Sequence, residues 1–120
     1  MAHYVDGYVI PVPKKNLDAY AEMARKAGAL WREHGALEVK ECVAEDVPKG
    51  EVTSFPRSVQ ATDEETVIFA WISYESRAER DRVNEAVMAD PRMKEMMNPE
   101  DNPFDSKRMF WGGFETIVEA

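Results

Sequence analysis

The chain has 120 residues, 44% hydrophobic and 32% charged, a composition that fits one folded domain over residues 1–120 and is too apolar for a disordered segment. With 15 basic against 23 acidic residues the net charge is −8, which repels phosphate backbones and anionic surfaces, so no nucleic-acid or membrane partner is expected. A lone cysteine, Cys42, and no basic-then-apolar leader predict a cytoplasmic protein, and the longest apolar run, Val67 to Ile72, falls far short of the roughly 20 residues that cross a bilayer.

His3 to Val12 is rich in Tyr, Val and Ile and is closed by Pro11 and Pro13, which predicts the first strand. Asn16 stands where a helix cap belongs, Asp18 suits the first turn, and Leu17, Tyr20, Ala21, Ala24, Ala27 and Trp31 recur at helical spacing up to a Gly35 stop. Leu37, Val39 and Val43 then alternate with Glu38, Lys40 and Cys42 as a half-buried second strand whose apolar face Glu41 interrupts. The connection from Asp46 to Glu65, about 20 residues with Pro48, Gly50 and Pro56, is long for a bare loop. Within it Val52 to Phe55 is expected to form a short extra strand, and the whole arm has the length to reach a partner subunit.

Thr66 to Tyr74 is apolar on both parities, with Val67, Phe69 and Trp71 on one side and Ile68, Ala70 and Ile72 on the other, so this third strand should be buried on both faces. Ser76 followed by Glu79 is a capping box, and Ala78, Val83, Ala86 and Val87 give the next helix its apolar stripe before Asp90 and Pro91 end or restart it. The interleaving of Arg77 to Arg82 with Glu79 and Asp81 reads as a solvated helix face. A turn-rich stretch from Asn98 to Lys107 leads into a fourth strand, Met109 to Val118, interrupted by Gly112 and Gly113.

The order β-α-β, long connection, β-α-β predicts an α+β fold, the ferredoxin-like split βαβ repeat with an antiparallel sheet and two helices on one face. Two helices cover one face only, whereas the third strand is apolar on both. A second copy packed sheet to sheet is therefore expected, giving a homodimer.

The strings Tyr4-Val5-Asp6-Gly7-Tyr8-Val9-Ile10-Pro11-Val12-Pro13, Trp31-Arg32-Glu33-His34-Gly35-Ala36-Leu37, Thr53-Ser54-Phe55-Pro56-Arg57, Ser76-Arg77-Ala78-Glu79-Arg80-Asp81 and Pro103-Phe104-Asp105-Ser106-Lys107-Arg108-Met109 resemble the YbaA-like bacterial family, a family of unknown function. The resemblance spans nearly the whole chain. It implies the fold of the dimeric α+β barrels, a superfamily that includes cofactor-independent monooxygenases, chlorite dismutase-like haem proteins and muconolactone isomerase-like enzymes. It carries over no catalytic residues, because one fold hosts many chemistries.

Several side chains are candidates on their own chemistry. Asp6 is opposite in parity to the small row Val5, Gly7 and Val9, which suits close helix packing. Asp6 is accordingly expected to point into a dimer-facing cavity with Trp71, Trp111 or Glu41 nearby, as a general base or polar ligand contact, or else to pair with Arg or Lys across the interface. His34, beside Trp31 in the last helical turn, is either a partner for the helix's negative end or a general base at a cleft mouth. Arg57, Lys107 and Arg108 lie near turns, where they serve an anionic ligand or simply surface and interface pairing.

No cofactor is expected. His3 and His34 lack a His or Cys at ligand spacing for zinc, and only they are obvious axial ligands for haem. Met88, Met93, Met96, Met97 and Met109 admit a soft-metal reading but fit gap-filling better. There is no Gly-x-Ser-x-Gly elbow, and Gly112-Gly113 has no helix after it to cradle a phosphate. The expected function is small-molecule binding with cofactor-free oxygenase or isomerase-type chemistry, sited between sheet and helices or at the dimer seam. The alternative is a non-catalytic binding or stress-accessory domain.

Overall fold

Strand β1 (Tyr4–Pro13) lies second from one edge of a four-stranded sheet; the computed structural model describes residues 3–97 and 102–120. A single 3-10 turn, Lys14–Asn16, leads into α1 (Leu17–His34). Asn16 precedes that helix without capping it by its side chain, and its amide donates instead to the Pro103 carbonyl at 3.0 Å. Gly35 ends the helix at φ 124°, a backbone conformation that suits glycine. After β2 (Glu38–Val43) the long connection contains a one-turn helix, α2 (Phe55–Ser58), where an extra strand was expected. The Ser54 hydroxyl accepts from the Arg57 amide and Pro56 fits the first turn, so local capping chemistry outweighs the β-leaning Val52–Phe55 composition.

The second half repeats the pattern with β3 (Glu65–Tyr74), α3 (Arg77–Ala89), α4 (Pro91–Met96) and β4 (Phe110–Glu115). Ser76 caps α3 by accepting from the Glu79 amide at 3.1 Å, while the Glu79 carboxylate turns to Arg82 rather than closing the box. Asp90 and Pro91 restart the helix as α4. Of the predicted turn region, 98–101 lies outside the described residues. Strand four ends at Glu115, three residues short of the expected Val118.

All strand pairs are antiparallel and the order is β2-β3-β1-β4, the ferredoxin-like arrangement. The even positions of β1 and β3 face the helices: Ile10, Val12, Ile68 and Ala70 pack with Tyr20 and Ala24, and Ile72 and Tyr74 with Leu30, Val83 and Val87. On the other face Val9 and Val67 meet Val59 of the long connection. The rest of that face is open, with Phe69, Phe110 and Phe114 exposed, so the two-sided apolarity of β3 corresponds to one face under helices and one uncovered in the isolated chain. No helix among the described residues is long and apolar enough to cross a membrane.

Candidate functional site

Between the sheet and helices α1, α3 and α4 lies a cavity of about 660 Å³. Six of the chain's seven methionines line it, Met23, Met88, Met93, Met96, Met97 and Met109, together with Trp31, Phe104, Trp111 and Tyr8. Helical spacing explains the assembly: Met23, Ala27 and Trp31 fall on one stripe of α1, and Asn84 and Met88 on one stripe of α3. Thioethers make adaptable apolar walls, and the volume is that of a small-molecule site. Tyr8 and Trp111, opposite each other in β1 and β4, stack with ring centroids 6.1 Å apart.

Behind this wall is a buried polar cluster. The Trp31 indole donates to Asn84 Oδ1 at 3.0 Å, and the Tyr74 hydroxyl reaches the same oxygen at 3.3 Å. Asp6 is fully buried beside them, and neither of its oxygens receives a hydrogen bond of normal geometry. Its charge partner is Arg80, whose Nε stands 3.7 Å from Oδ1. Arg80 in turn lies over the Tyr4 ring at 5.0 Å and the Trp111 ring at 5.9 Å and donates to the Tyr4 hydroxyl at 3.0 Å. Gly113 makes room for this, since a Cβ there would come within 2.3 Å of the Tyr4 hydroxyl.

Burial pushes the Asp6 carboxyl above its ordinary range, against the opposing pull of Arg80 and the smaller effects of Asn84 and Tyr74. Tyr8 is raised as well, by burial first and the Asp6 charge second. It therefore stays protonated at neutral pH. Tyr8 lines the cavity, and its hydroxyl makes no hydrogen bond among the described residues, so it is an available donor to a ligand.

The sequence-derived candidates separate into several places. Asp6 does not point to a dimer-facing cavity: it lies under α3, and the small row Val5, Gly7 and Val9 occupies the open face instead. Phe114 of β4 lies on that open side, where a Cβ on Gly7 would sit at ordinary contact distance, 3.8 Å, from its ring. Trp111 and Glu41 share the helix side with Asp6, whereas Trp71 is on the opposite face, donating to Glu38 at 3.0 Å. Glu41 accepts from the Tyr20 hydroxyl at 2.7 Å, away from the cavity.

His34 turns from Trp31 toward Asp90, with Nε2 2.9 Å from Oδ2. Asp90 caps α4 through the Arg92 amide, and Arg92 also bridges Asp90 and Glu33. Arg92 first, then His34, holds Asp90 well below the usual carboxylate range. The ligand atoms of Glu33, His34 and Asp90 lie within 4.8 Å of one another, but the Arg92 guanidinium already supplies the positive charge there. Arg57 binds the Lys49 and Gly50 carbonyls and so folds its own loop. Arg108 clamps Glu65 with both terminal nitrogens, at 2.9 and 2.6 Å, and reaches Asp105 at 2.9 Å. The Lys107 backbone amide donates to Asp105 at 3.0 Å.

Arg80, Asn84 and Tyr8 are absent from the sequence-derived site. Arg80 sits among alternating charges that read as a solvated face, yet its side chain is only 13% exposed and faces Asp6. The available signal is helical spacing: Arg80, Val83, Asn84 and Val87 fall on one stripe, and Val83 and Val87 are core.

Comparison with known proteins places the fold and the family. The chain is 53% identical over 116 residues to the uncharacterized protein YbaA of Escherichia coli K12, with 97% of each chain covered, and shows the same identity to the Shigella flexneri protein. A NIPSNAP domain protein from Burkholderia xenovorans superposes with a TM-score of 0.60 at 14% identity, covering 98% of this chain and 95% of the other. A dimeric ferredoxin-like protein from an uncultured marine organism gives 0.59 at 10% identity, over 100% and 92%. These two likenesses show the fold. Residues 3–106 match the family described as "Protein of unknown function (DUF1428)", and with the YbaA identity this match shows that the chain belongs to that family.

Proposed function

We propose that this protein binds a small, largely apolar and planar compound bearing one oxygen function in the methionine-walled cavity. The observation that carries this reading is the pairing of a largely apolar wall with the Tyr8 hydroxyl, which makes no hydrogen bond among the described residues, beside the polar side chains of Asn84, Asn102 and Ser106 in the same lining. Isomerase or cofactor-free oxygenase chemistry at such a site would rest on proton transfer through Asp6, whose raised pKa suits a proton carrier. A second reading, binding without turnover, is favoured by the Asp6–Arg80 ion pair and by the place of Asp6 behind the lining rather than in it. Thermal-shift and native mass-spectrometric screening with phenols, quinones and aromatic ketones tests both. A hit should be lost in Trp111→Ala and weakened in Tyr8→Phe; equal binding in all three proteins overturns the site. Conversion of the hit separates enzyme from binder.

The same reading includes a homodimer through the open sheet face. Phe69, Phe110 and Phe114 are 44%, 47% and 64% exposed on one side of the sheet, an apolar patch that monomers rarely leave bare. Two marine proteins of this fold are described as dimeric. Light scattering across dilution should find a dimer, and a folded monomer persisting at micromolar concentration overturns it.

A further inference from the structure

The thioethers of this chain are concentrated in one place. Six of the seven methionines line the cavity between sheet and helices, and they come from separate stretches of chain: Met23 from α1, Met88 from α3, Met93, Met96 and Met97 from α4 and its end, and Met109 from just before β4. They are graded from floor to mouth. Met93 is 5% exposed and packs in the core with Leu30, Val83 and Val87, and Met23, Met96 and Met109 lie partly buried against the core. Met88 and Met97 are 46% and 61% exposed. Gap-filling in a core explains Met93 but not the outer pair, which meet solvent and still line the cavity. Among the described residues no Asp, Glu, Lys, Arg or His lines it, so its preference for an apolar ligand depends on the wall staying apolar. Cys42 is exposed on β2 and takes no part in the lining.

We infer that Met88 and Met97 are an oxidant-responsive modification site, whose conversion to sulfoxides by a hydroperoxide closes the cavity to an apolar ligand; this rests on the small-molecule reading above. In each conversion the sulfur donates an electron pair to one peroxide oxygen, the O–O bond breaks, and the other oxygen leaves as water with the proton shed by the first. Sulfur is oxidised by two electrons and the peroxide is reduced. A thioether needs no deprotonation for this, so access sets the order, and the outer pair react before Met93, which the core shields. The added oxygen is a hydrogen-bond acceptor. On Met88 and Met97 water can solvate it, so the fold tolerates the change. With a planar apolar ligand in place the same oxygen loses that water against carbon, which penalises binding. Methionine sulfoxide reductases, one for each sulfoxide epimer, restore the thioethers and make the site reversible.

Naphthol serves as the probe, in a Cys42→Ser protein that lacks the thiol as a competing target. Limited hydrogen peroxide should place one oxygen each on Met88 and Met97 before any reaches Met93, as located by peptide mass mapping. Naphthol binding, followed by quenching of tryptophan fluorescence, should then weaken about tenfold or more with the circular dichroism unchanged. Reductase treatment should restore it. In Met88→Leu/Met97→Leu the same peroxide dose should leave the affinity at that variant's own untreated value. Undiminished binding by protein that carries both sulfoxides, or oxygen arriving first at Met93, overturns the modification site while leaving the small-molecule site standing. Untreated protein that does not bind naphthol overturns the small-molecule reading first and the modification site with it.

Discussion

On the helix side of β3, Ile68, Ala70, Ile72 and Tyr74 are all buried, whereas Phe69, one residue away on the other side, is 44% exposed. The helix side also takes the polar burden of the fold, with Asp6, Arg80, Asn84 and Tyr74 gathered beneath α3. The open side has almost no charge at its centre and offers glycine and aromatic surface, Gly7 and Gly112 beneath Phe114 and beside Trp71. A polar group that must be held in one place belongs under fixed helices, where every neighbour is covalently part of the chain. Flat apolar surface costs little to desolvate, which suits the open side to the homodimer proposed above.

The sharpest way to break this contrast is to place the same charge on each side. Ile72→Asp puts an unpaired carboxylate in the helix-side core and should cost about 3–5 kcal/mol, a large share of the stability of a domain of this size, and lower the unfolding midpoint accordingly. Phe114→Asp puts it on the open side and should leave circular dichroism and cooperative unfolding intact while the molar mass falls to that of a monomer. Equal unfolding by both would mean that the open face is structural within one chain.

Next in size is the ion pair. Arg80→Met leaves Asp6 buried without its charge partner and should cost about 3 kcal/mol in denaturant unfolding, with part of the loss recovered on adding Asp6→Asn. The pH dependence has a definite sign. Because the folded-state pKa of Asp6 is raised above 3.8, the folded chain holds a proton that the unfolded chain has released, so its contribution becomes less favourable as pH rises through that window. Wild type should therefore lose stability relative to Asp6→Asn as pH rises from below 3.8 toward neutrality. Glu65 runs the other way. Arg108, first among its causes, lowers its pKa, so its stabilisation is present at neutral pH and fades as pH falls through the depressed value. An Arg108→Ala protein should be measurably less stable than wild type at neutral pH and differ less from it in acid.

The order of the four sheet strands and two long helices, the helix stops at Gly35 and Asp90, and the face of β3 left uncovered by helices are legible because each rests on local periodicity or a single turn residue, whereas the one-turn helix at Phe55–Ser58 is not. The site was less legible. Which parity of β1 faces the helices is set by partners on other elements: Asp6 is held against Arg80 of α3, more than 70 residues away, and nothing within β1 itself marks that side. Arg80 looked solvated because its sequence neighbours are charged, while its fate was set by Asp6 on another element. Methionines at these positions imply packing, and they do pack, but around a space.

The smallest effect is expected at His34, which sits at the junction of α1 and α4 rather than in the cavity. Its imidazole nitrogen meets Asp90 at 2.9 Å, and Asp90 keeps three further contacts to Arg92, through the backbone amide at 2.9 Å, Nε at 3.1 Å and Nη2 at 2.8 Å. Removing the imidazole therefore leaves the carboxylate paired and the α4 cap intact. His34→Gln, which retains a donor of similar reach, should cost no more than about 1 kcal/mol. Asp90→Ala removes the cap and both partners' anchor together, and should cost about twice as much. Because α4 supplies Met93 and Met96 to the cavity wall, Asp90→Ala should also loosen ligand binding, while His34→Gln leaves it within error of wild type. Loss of binding or turnover in a fully folded His34→Gln protein would move the site to the helix junction and out of the methionine-lined cavity.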